Sequence, residues 1–122
     1  WSAAPPRPVL VYSTAAPDAV AAAQARSGAH DVGTHLERVL AGIARALVAR
    51  GARRLVVAGG ETSGACVQAL GVEQLRIGAQ IDPGVPWCHA TPPRAREGLL
   101  LALKSGNFGA VDFFTRAFVK AP

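Results

Sequence analysis

Blocks of apolar residues with different spacings follow one another along this chain, and each block predicts one element of secondary structure. The short apolar run Val9–Ser13 is typical of a buried strand. Pro17 and Asp18 are common at a helix start, and the alanine-rich stretch after them predicts a helix that Gly28 can end. A strand followed by a helix therefore opens the predicted order.

The clearest helical periodicity lies in the next block. Thr34 and Glu37, three residues apart, form a capping box at its predicted start, and Gly51 is placed to end it. The apolar residues between them recur at helical spacing and predict one buried face: Leu36, Val39, Leu40, Ile43, Leu47 and Val48. We expect this helix to serve packing and to carry no chemistry.

The second half of the chain alternates short apolar runs with turns. Four runs predict strands: Arg54–Ala58, Glu73–Ile77, Val85–Ala90 and Leu99–Leu103. Pro86 favours the edge or the start of its strand, whereas the unbroken run that begins at Leu99 favours a central strand. Helices are predicted over Gly64–Leu70 and from about Asp112, where the aspartate is a helix N-cap rather than a catalytic base.

This alternation predicts the α/β class, as a layered domain with a mixed, mostly parallel sheet flanked by helices. A length of 122 residues suits one domain. Three prolines within residues 1–8 predict an entering linker, and residues 9–122 then form the domain. Because the chain begins with Trp1 rather than Met, we expect it to be part of a longer or processed polypeptide.

Charge and composition narrow the partners. The net charge of +5 favours anionic ligands, but the arginines are scattered with no aromatic-interleaved stripe, so we expect no nucleic-acid partner. No signal peptide and no membrane-length apolar run are visible, which favours a cytoplasmic protein without membrane contact. Two cysteines and three histidines occur in no ligand spacing, so no metal-binding residues are expected: Cys66, Cys88, His30, His35 and His89.

The turn Gly59–Gly64 follows a predicted strand and precedes a predicted helix. Such a turn lets a ligand approach the backbone, and the N–H groups of Ser63, Gly64 and Ala65 would then face an anion at the helix N-terminus. Thr62 or Ser63 can cap the helix or bond a phosphate oxygen. Glu61 can accept from a ribose or a base, or hold Mg²⁺ through water. An ordinary capped turn remains the alternative.

A second glycine turn, Lys104–Gly109, also follows a buried strand. Lys104 can pair with a phosphate as a point charge, and Ser105, Gly106 and Asn107 supply donors. Phe108 can cover an adenine or fill the core. Two such turns at strand ends in one small sheet predict a shared ligand crevice.

Five motifs, in this order, resemble the four-carbon acid sugar kinase family. They are Gly59–Ala65, Leu75–Gly78, Pro83–Trp87, Leu101–Gly109 and Asp112–Phe114. The resemblance implies a nucleotide-binding C-terminal domain, present in part, that binds ATP with Mg²⁺. By resemblance, Gly59, Gly60, Glu61, Thr62, Ser63 and Gly64 bind the nucleotide together with Lys104, Ser105, Gly106 and Asn107.

The same resemblance implies a kinase that phosphorylates a sugar acid such as 3-oxo-tetronate. The sugar acid would bind to an N-terminal domain that this chain lacks, so we expect the isolated chain to be inactive and its catalytic residues to lie elsewhere. A homodimer is a further expectation, because missing segments would leave an apolar face exposed. The alternative is a non-catalytic nucleotide-binding or interaction module derived from the same family.

Overall fold

The structure, a computed structural model, describes residues 8–14, 16–27 and 29–122. Within these ranges the elements are α1 (Pro17–Ser27), α2 (Ala29–Ala49), β1 (Arg54–Ala58), α3 (Gly60–Leu70), β2 (Arg76–Asp82), β3 (Val85–Ala90), β4 (Leu99–Lys104) and α4 (Phe113–Val119). The predicted linker lies outside the described residues except for Pro8. The predicted helix stop at Gly28 and the side chain of His30 also lie outside them.

The four strands form one mixed sheet in the order β1-β4-β3-β2. Strands β1 and β4 are parallel, and the two other pairs are antiparallel. The α/β class and the mixed sheet are confirmed, but the larger parallel share is not. Strands β2 and β3 are joined by the tight turn at Pro83 and Gly84, and β3 and β4 by the helix-free loop 91–98, whereas parallel neighbours need a long crossover.

Helices cover both faces of the sheet. On one face α2 and α3 pack on the parallel pair, in a cluster of Ala41, Ala44, Val57, Cys66 and Leu101. On the other face α4 packs in a cluster of Ile81, Val85, Trp87, Ala102, Phe113 and Ala117. Leu101 and Ala102 serve opposite faces because successive strand side chains point to opposite sides. The unbroken apolar run of β4 is explained by its central place between two helical layers.

Trp87 fixes α4 to the sheet. Its side chain is fully buried, its Nε1–H donates to the carbonyl of Ala117 at 3.1 Å, and its ring meets Phe118 edge-on at 5.9 Å. Gly78 of the neighbouring strand is equally constrained, since a Cβ there would lie 2.9 Å from the carbonyl oxygen of Trp87. Any larger residue at this position would force the paired backbone to shift.

Several predicted boundaries are wrong. Residues 9–13 form no strand and pair with no other backbone in the described structure, and the side chains from Val9 to Tyr12 are 45% to 70% exposed. Helix α2 begins at Ala29, ahead of Thr34, because extending a nucleated helix costs little per residue. Strand β2 begins at Arg76 and runs through Gly78 to Asp82.

The remaining predictions for the sheet fare better. Strands β1 and β3 have the predicted bounds, and β4 is central as predicted. Pro86 stands near the start of its strand and not at a sheet edge, because β3 lies between β4 and β2. Asp112 occupies the N-cap position of α4, although its side chain forms no capping hydrogen bond.

Asp82 joins the end of β2 to α4 and to the segment before it. One carboxylate oxygen accepts the backbone N–H of Ala110 at 2.9 Å, and the other accepts a hydrogen bond from Arg116. The pKa of Asp82 is lowered, chiefly by the Ala110 hydrogen bond and also by Arg116, against the opposing effect of desolvation. Nearby, the ammonium of Lys120 donates to the Ile81 carbonyl at 2.9 Å.

The first prediction concerns the close approach at Gly78. Gly78→Ala should lower the free energy of unfolding by about 1–3 kcal/mol, because the new methyl group meets backbone that cannot rotate away. Gly42→Ala is the matched control, since nothing lies within 4 Å of a Cβ in that helical position and alanine should stabilise by about 1 kcal/mol. Urea unfolding measures both; equal effects of the same sign would contradict the packing argument.

The second prediction concerns acid stability. Because the pKa of folded Asp82 lies below its unfolded value, its contribution is present above the unfolded pKa and is lost as pH falls through the folded pKa. Asp82→Asn should therefore destabilise the protein near neutral pH and flatten the fall in stability below about pH 4. Asp112→Asn is the control, as that exposed carboxylate lies 3.7 Å from Arg116. Unchanged pH dependence in Asp82→Asn would refute the assignment.

Candidate functional site

The two glycine turns lie side by side at the carboxyl ends of the parallel strands β1 and β4. Ala58 and Lys104 are paired at the end of the register, and the Gly59 N–H donates to the carbonyl of Lys104 at 2.8 Å. The carboxyl end of parallel strands is where open α/β sheets bind ligands. The predicted proximity of the two turns is therefore present in the structure.

Gly59 makes the first turn possible. Its φ of 107° and ψ of 132° belong to a region that side chains rarely allow, and it serves as the N-cap of α3. A Cβ at this position would lie 3.2 Å from the hydroxyl of Thr62. Because α3 begins at Gly60 instead of Gly64, the segment predicted as a loop is the first turn of a helix.

The earlier helix start changes which N–H groups can face a ligand. The Ser63 N–H donates to the Gly59 carbonyl at 2.9 Å, and the next two residues lie deeper in the helix. No acceptor within the described residues faces the N–H groups of Gly60, Glu61 and Thr62. The donors of this helix N-terminus thus lie one turn earlier than the sequence predicted, at its positive end.

The side chains of this turn differ in exposure. Glu61 is exposed and Thr62 is half-buried, so the carboxylate and one hydroxyl lie at the surface of the crevice. Ser63 is only 8% exposed, and its hydroxyl has no hydrogen-bond partner within the described structure. A buried hydroxyl without a partner is unfavourable, so a bound water molecule, or a small rearrangement that exposes this oxygen to a ligand, would supply the missing hydrogen bond.

The second turn is closed by its own lysine. The Lys104 ammonium donates to the carbonyl of Ser105 at 3.2 Å and to that of Gly106 at 2.9 Å, and the residue is 9% exposed. Ser105, Gly106 and Asn107 are exposed. The hydroxyl and the amide predicted as donors therefore lie at the surface, whereas the cation is turned into the loop.

Aromatic rings support the far end of this turn. The ring of Phe108 lies against Gly84, where a Cβ would come within 2.9 Å of it, but the residue stays 50% exposed. Phe113 lies under Gly109 in the same way, and it is buried. Phe108 is thus neither a core residue nor wholly withdrawn, and its outer face can contact a ligand.

Metal clusters and exposed thiols are both absent from the described residues. These residues contain no cluster of three histidine, cysteine or carboxylate side chains that could hold an ion. Cys66, on the inner face of α3, and Cys88, in β3, are buried thiols, and desolvation raises the pKa of each. Both sulfurs therefore act as small apolar groups.

Sequence analysis did not predict the hydrogen bonds of Asp82, which fix the segment after the second glycine turn. Asp82 on β2 and Ala110 are 28 positions apart, and Arg116 lies on α4. The only signal was a charged residue just before Pro83 and Gly84, which is ordinary turn chemistry.

Among the described helices, none is long and apolar enough to cross a membrane.

Comparison with known proteins gives matches over most of the chain. A family model described as a nucleotide-binding C-terminal domain matches residues 2–114. The chain is 62% identical over 112 residues to a 3-oxo-tetronate kinase of Burkholderia multivorans, which covers 92% of this chain and 26% of that protein. The chain thus spans about a quarter of the length of this curated relative.

Two solved structures have a similar fold over most of the length of this chain. A Haemophilus influenzae protein of the DUF1537 family superposes with a TM-score of 0.75 at 43% identity, over 88% of this chain and 25% of that one. A DUF1537 protein of Bordetella bronchiseptica, described as a domain-swapped dimer with bound citrate, superposes with a TM-score of 0.58 at 32% identity, over 66% of this chain and 20% of that one.

The family match covers nearly the whole chain and includes both glycine turns. The resemblance to four-carbon acid sugar kinases is confirmed by relatives that are named 3-oxo-tetronate kinase. This chain belongs to the family of nucleotide-binding C-terminal domains.

Proposed function

We propose that this chain is the ATP-binding portion of a kinase that phosphorylates a four-carbon sugar acid such as 3-oxo-tetronate. The observation that carries the proposal is the hydrogen bond between Gly59 and Lys104, which joins the two glycine turns side by side at the ends of β1 and β4. A family match to nucleotide-binding domains supports the choice of ligand, and relatives named as kinases support the choice of reaction.

In this proposal the phosphates of ATP lie at the N-terminus of α3. The N–H groups of Gly60, Glu61 and Thr62 donate to phosphate oxygens, and the helix dipole favours their negative charge. The buried hydroxyl of Ser63 gains the partner that it lacks. Gly59 brings no side chain into the path, so the phosphate can approach the backbone closely.

The second turn forms the opposite wall of the crevice. Ser105 and Asn107 present a hydroxyl and an amide at its surface, and Gly106 leaves room between them. The exposed face of Phe108 is placed to cover the adenine. Glu61, an exposed carboxylate beside the helix N-terminus, fits a role in holding Mg²⁺ through water or in accepting from the ribose. Bound Mg²⁺ would neutralise charge on the transferred phosphate.

The acceptor sugar acid and its catalytic base belong, in this proposal, to the three quarters of the kinase that this chain does not span. The exposed apolar surface of Val9–Tyr12, Leu36 and Val39 is suited to packing against that part of the polypeptide. Residues 9–122 would then be one part of the nucleotide-binding domain, and they would not phosphorylate a substrate alone. We further propose that the protein acts in the cytoplasm.

One alternative function and one assembly state can also be tested. A non-catalytic nucleotide-binding or interaction module derived from the same family predicts ATP binding without transfer even in the complete polypeptide. A homodimer is favoured by the exposed apolar surface and by the dimeric Bordetella bronchiseptica protein. Light scattering on the complete polypeptide distinguishes a dimer from a monomer.

A third prediction tests the phosphate position. In the complete polypeptide, Gly60→Val should weaken ATP–Mg²⁺ binding by at least about tenfold, because the side chain occupies space at the helix N-terminus that the phosphate needs. It should leave folding intact, since nothing lies within 4 Å of a Cβ there. Gly64→Ala, equally open but one turn further along, is the control. Calorimetry that finds full ATP affinity in Gly60→Val would refute the site.

A fourth prediction uses opposite signs for stability and affinity. Ser63→Ala should leave the free energy of unfolding unchanged or raise it, because it removes a buried hydroxyl without a partner. The same change should weaken ATP binding by about five- to tenfold, the worth of one hydrogen bond. Thr115→Ala is the control, since its hydroxyl already has a partner: it donates to the backbone carbonyl of Asp112, the N-cap residue of α4. Weakened folding with unchanged ATP affinity would show that Ser63 is structural only.

A further inference from the structure

Lys104 ends β4 with both its backbone and its side chain engaged. Its carbonyl accepts the Gly59 N–H at 2.8 Å, and its ammonium donates to the carbonyls of Ser105 and Gly106. We propose that Lys104 is a positioning residue that holds the two glycine turns in their binding geometry, and that it does not bind a phosphate directly. The part of this inference that concerns nucleotide affinity rests on the proposed function.

The contacts of the ammonium are all within its own turn. It lies 3.2 Å from the Ser105 oxygen and 2.9 Å from the Gly106 oxygen, and no carboxylate of the described residues lies within 4 Å of it. A buried cation is costly unless dipoles replace the water that it loses. The two carbonyls supply those dipoles, so the cation and the bent loop stabilise each other.

The fold provides space for this arrangement. Gly109 has a φ of 90°, and a Cβ there would lie 3.1 Å from Cε of Lys104. The aliphatic part of the lysine therefore passes close to the end of the turn, where any larger residue would displace it. Reaching a phosphate across the crevice would require the ammonium to leave both carbonyls.

Lys104 takes part in two links, one through its backbone and one through its side chain. The backbone link fixes the first turn to the end of β4, and the side-chain link closes the second turn onto the same residue. The side chain of Lys104 therefore controls the shape of the second turn, and its backbone carbonyl ties that turn to the first. A phosphate contact would add affinity only when phosphate is present, whereas positioning acts before any ligand binds.

The first experiment needs no nucleotide. In the complete polypeptide without ligand, Lys104→Met should speed amide hydrogen exchange of Phe108 by about tenfold or more, because its N–H bonds the Ser105 carbonyl across the turn. Arg53→Met is the matched control: it removes a cation–carbonyl bond of 3.0 Å to Val48 just before β1, at the opposite end of that strand from the turns, and should leave this exchange unchanged. Unchanged exchange in Lys104→Met would overturn the proposal.

Lys104→Gln serves if the methionine variant does not fold. It keeps two N–H donors and loses the charge, and it should also speed exchange, by a smaller factor than methionine. Exchange equal to that of the unaltered protein would overturn the proposal in this variant as well.

The second experiment compares AMP, ADP and ATP by calorimetry. A positioning role predicts that Lys104→Met weakens all three by a similar factor, about tenfold, because each ligand must order the same loosened turn. A loss that grows with the number of phosphates and shrinks at high salt would show direct phosphate binding and overturn the proposal. If the unaltered protein binds no nucleotide, the proposed function fails while the exchange result still decides the role of Lys104.

Discussion

The parallel pairing of β1 with β4 is the constraint on which the rest of this structure depends. It aligns the ends of two strands that are 46 positions apart in register, Ala58 with Lys104, and extends by one further bond to Gly59. Both glycine turns begin where this pairing ends. Since the direction of the two strands is shared, both turns emerge on the same side of the sheet.

The two helical layers make that pairing rigid. Leu101 faces α2 and α3 while Ala102 faces α4, so the central strand is buried on both sides. Trp87 anchors α4 through its bond to Ala117, and the Asp82 carboxylate joins β2 to the segment that enters α4. That segment directly follows the second glycine turn. Asp82, which is far from the second turn in sequence but bonded to Ala110 directly after it, therefore helps to fix where that turn ends.

The polar groups of the two glycine turns differ in whether they have a hydrogen-bond partner. The Lys104 ammonium is engaged with backbone carbonyls, whereas the first-turn N–H groups of α3 and the Ser63 hydroxyl have no partner in the described residues. Under the proposed function these backbone dipoles stabilise charge on the phosphates, and phosphoryl transfer depends chiefly on positioning and charge stabilisation. The side chains of Val9–Tyr12 form an exposed apolar surface, which under the proposed function packs against another part of the polypeptide.

The α/β class, the bounds of β1 and β3, and the presence of a glycine directly after β1 and of a glycine turn after β4 could be predicted from the sequence, because they depend on local patterns of apolar residues and on glycine. Tertiary structure decided the remainder. The run Val9–Ser13 has strand-like composition, but a strand forms only where another backbone offers hydrogen bonds. The start of α3 at Gly60 and the direction of Lys104 depend on contacts made after the sheet assembles. Such contacts join residues far apart in the chain, so no local spacing records them.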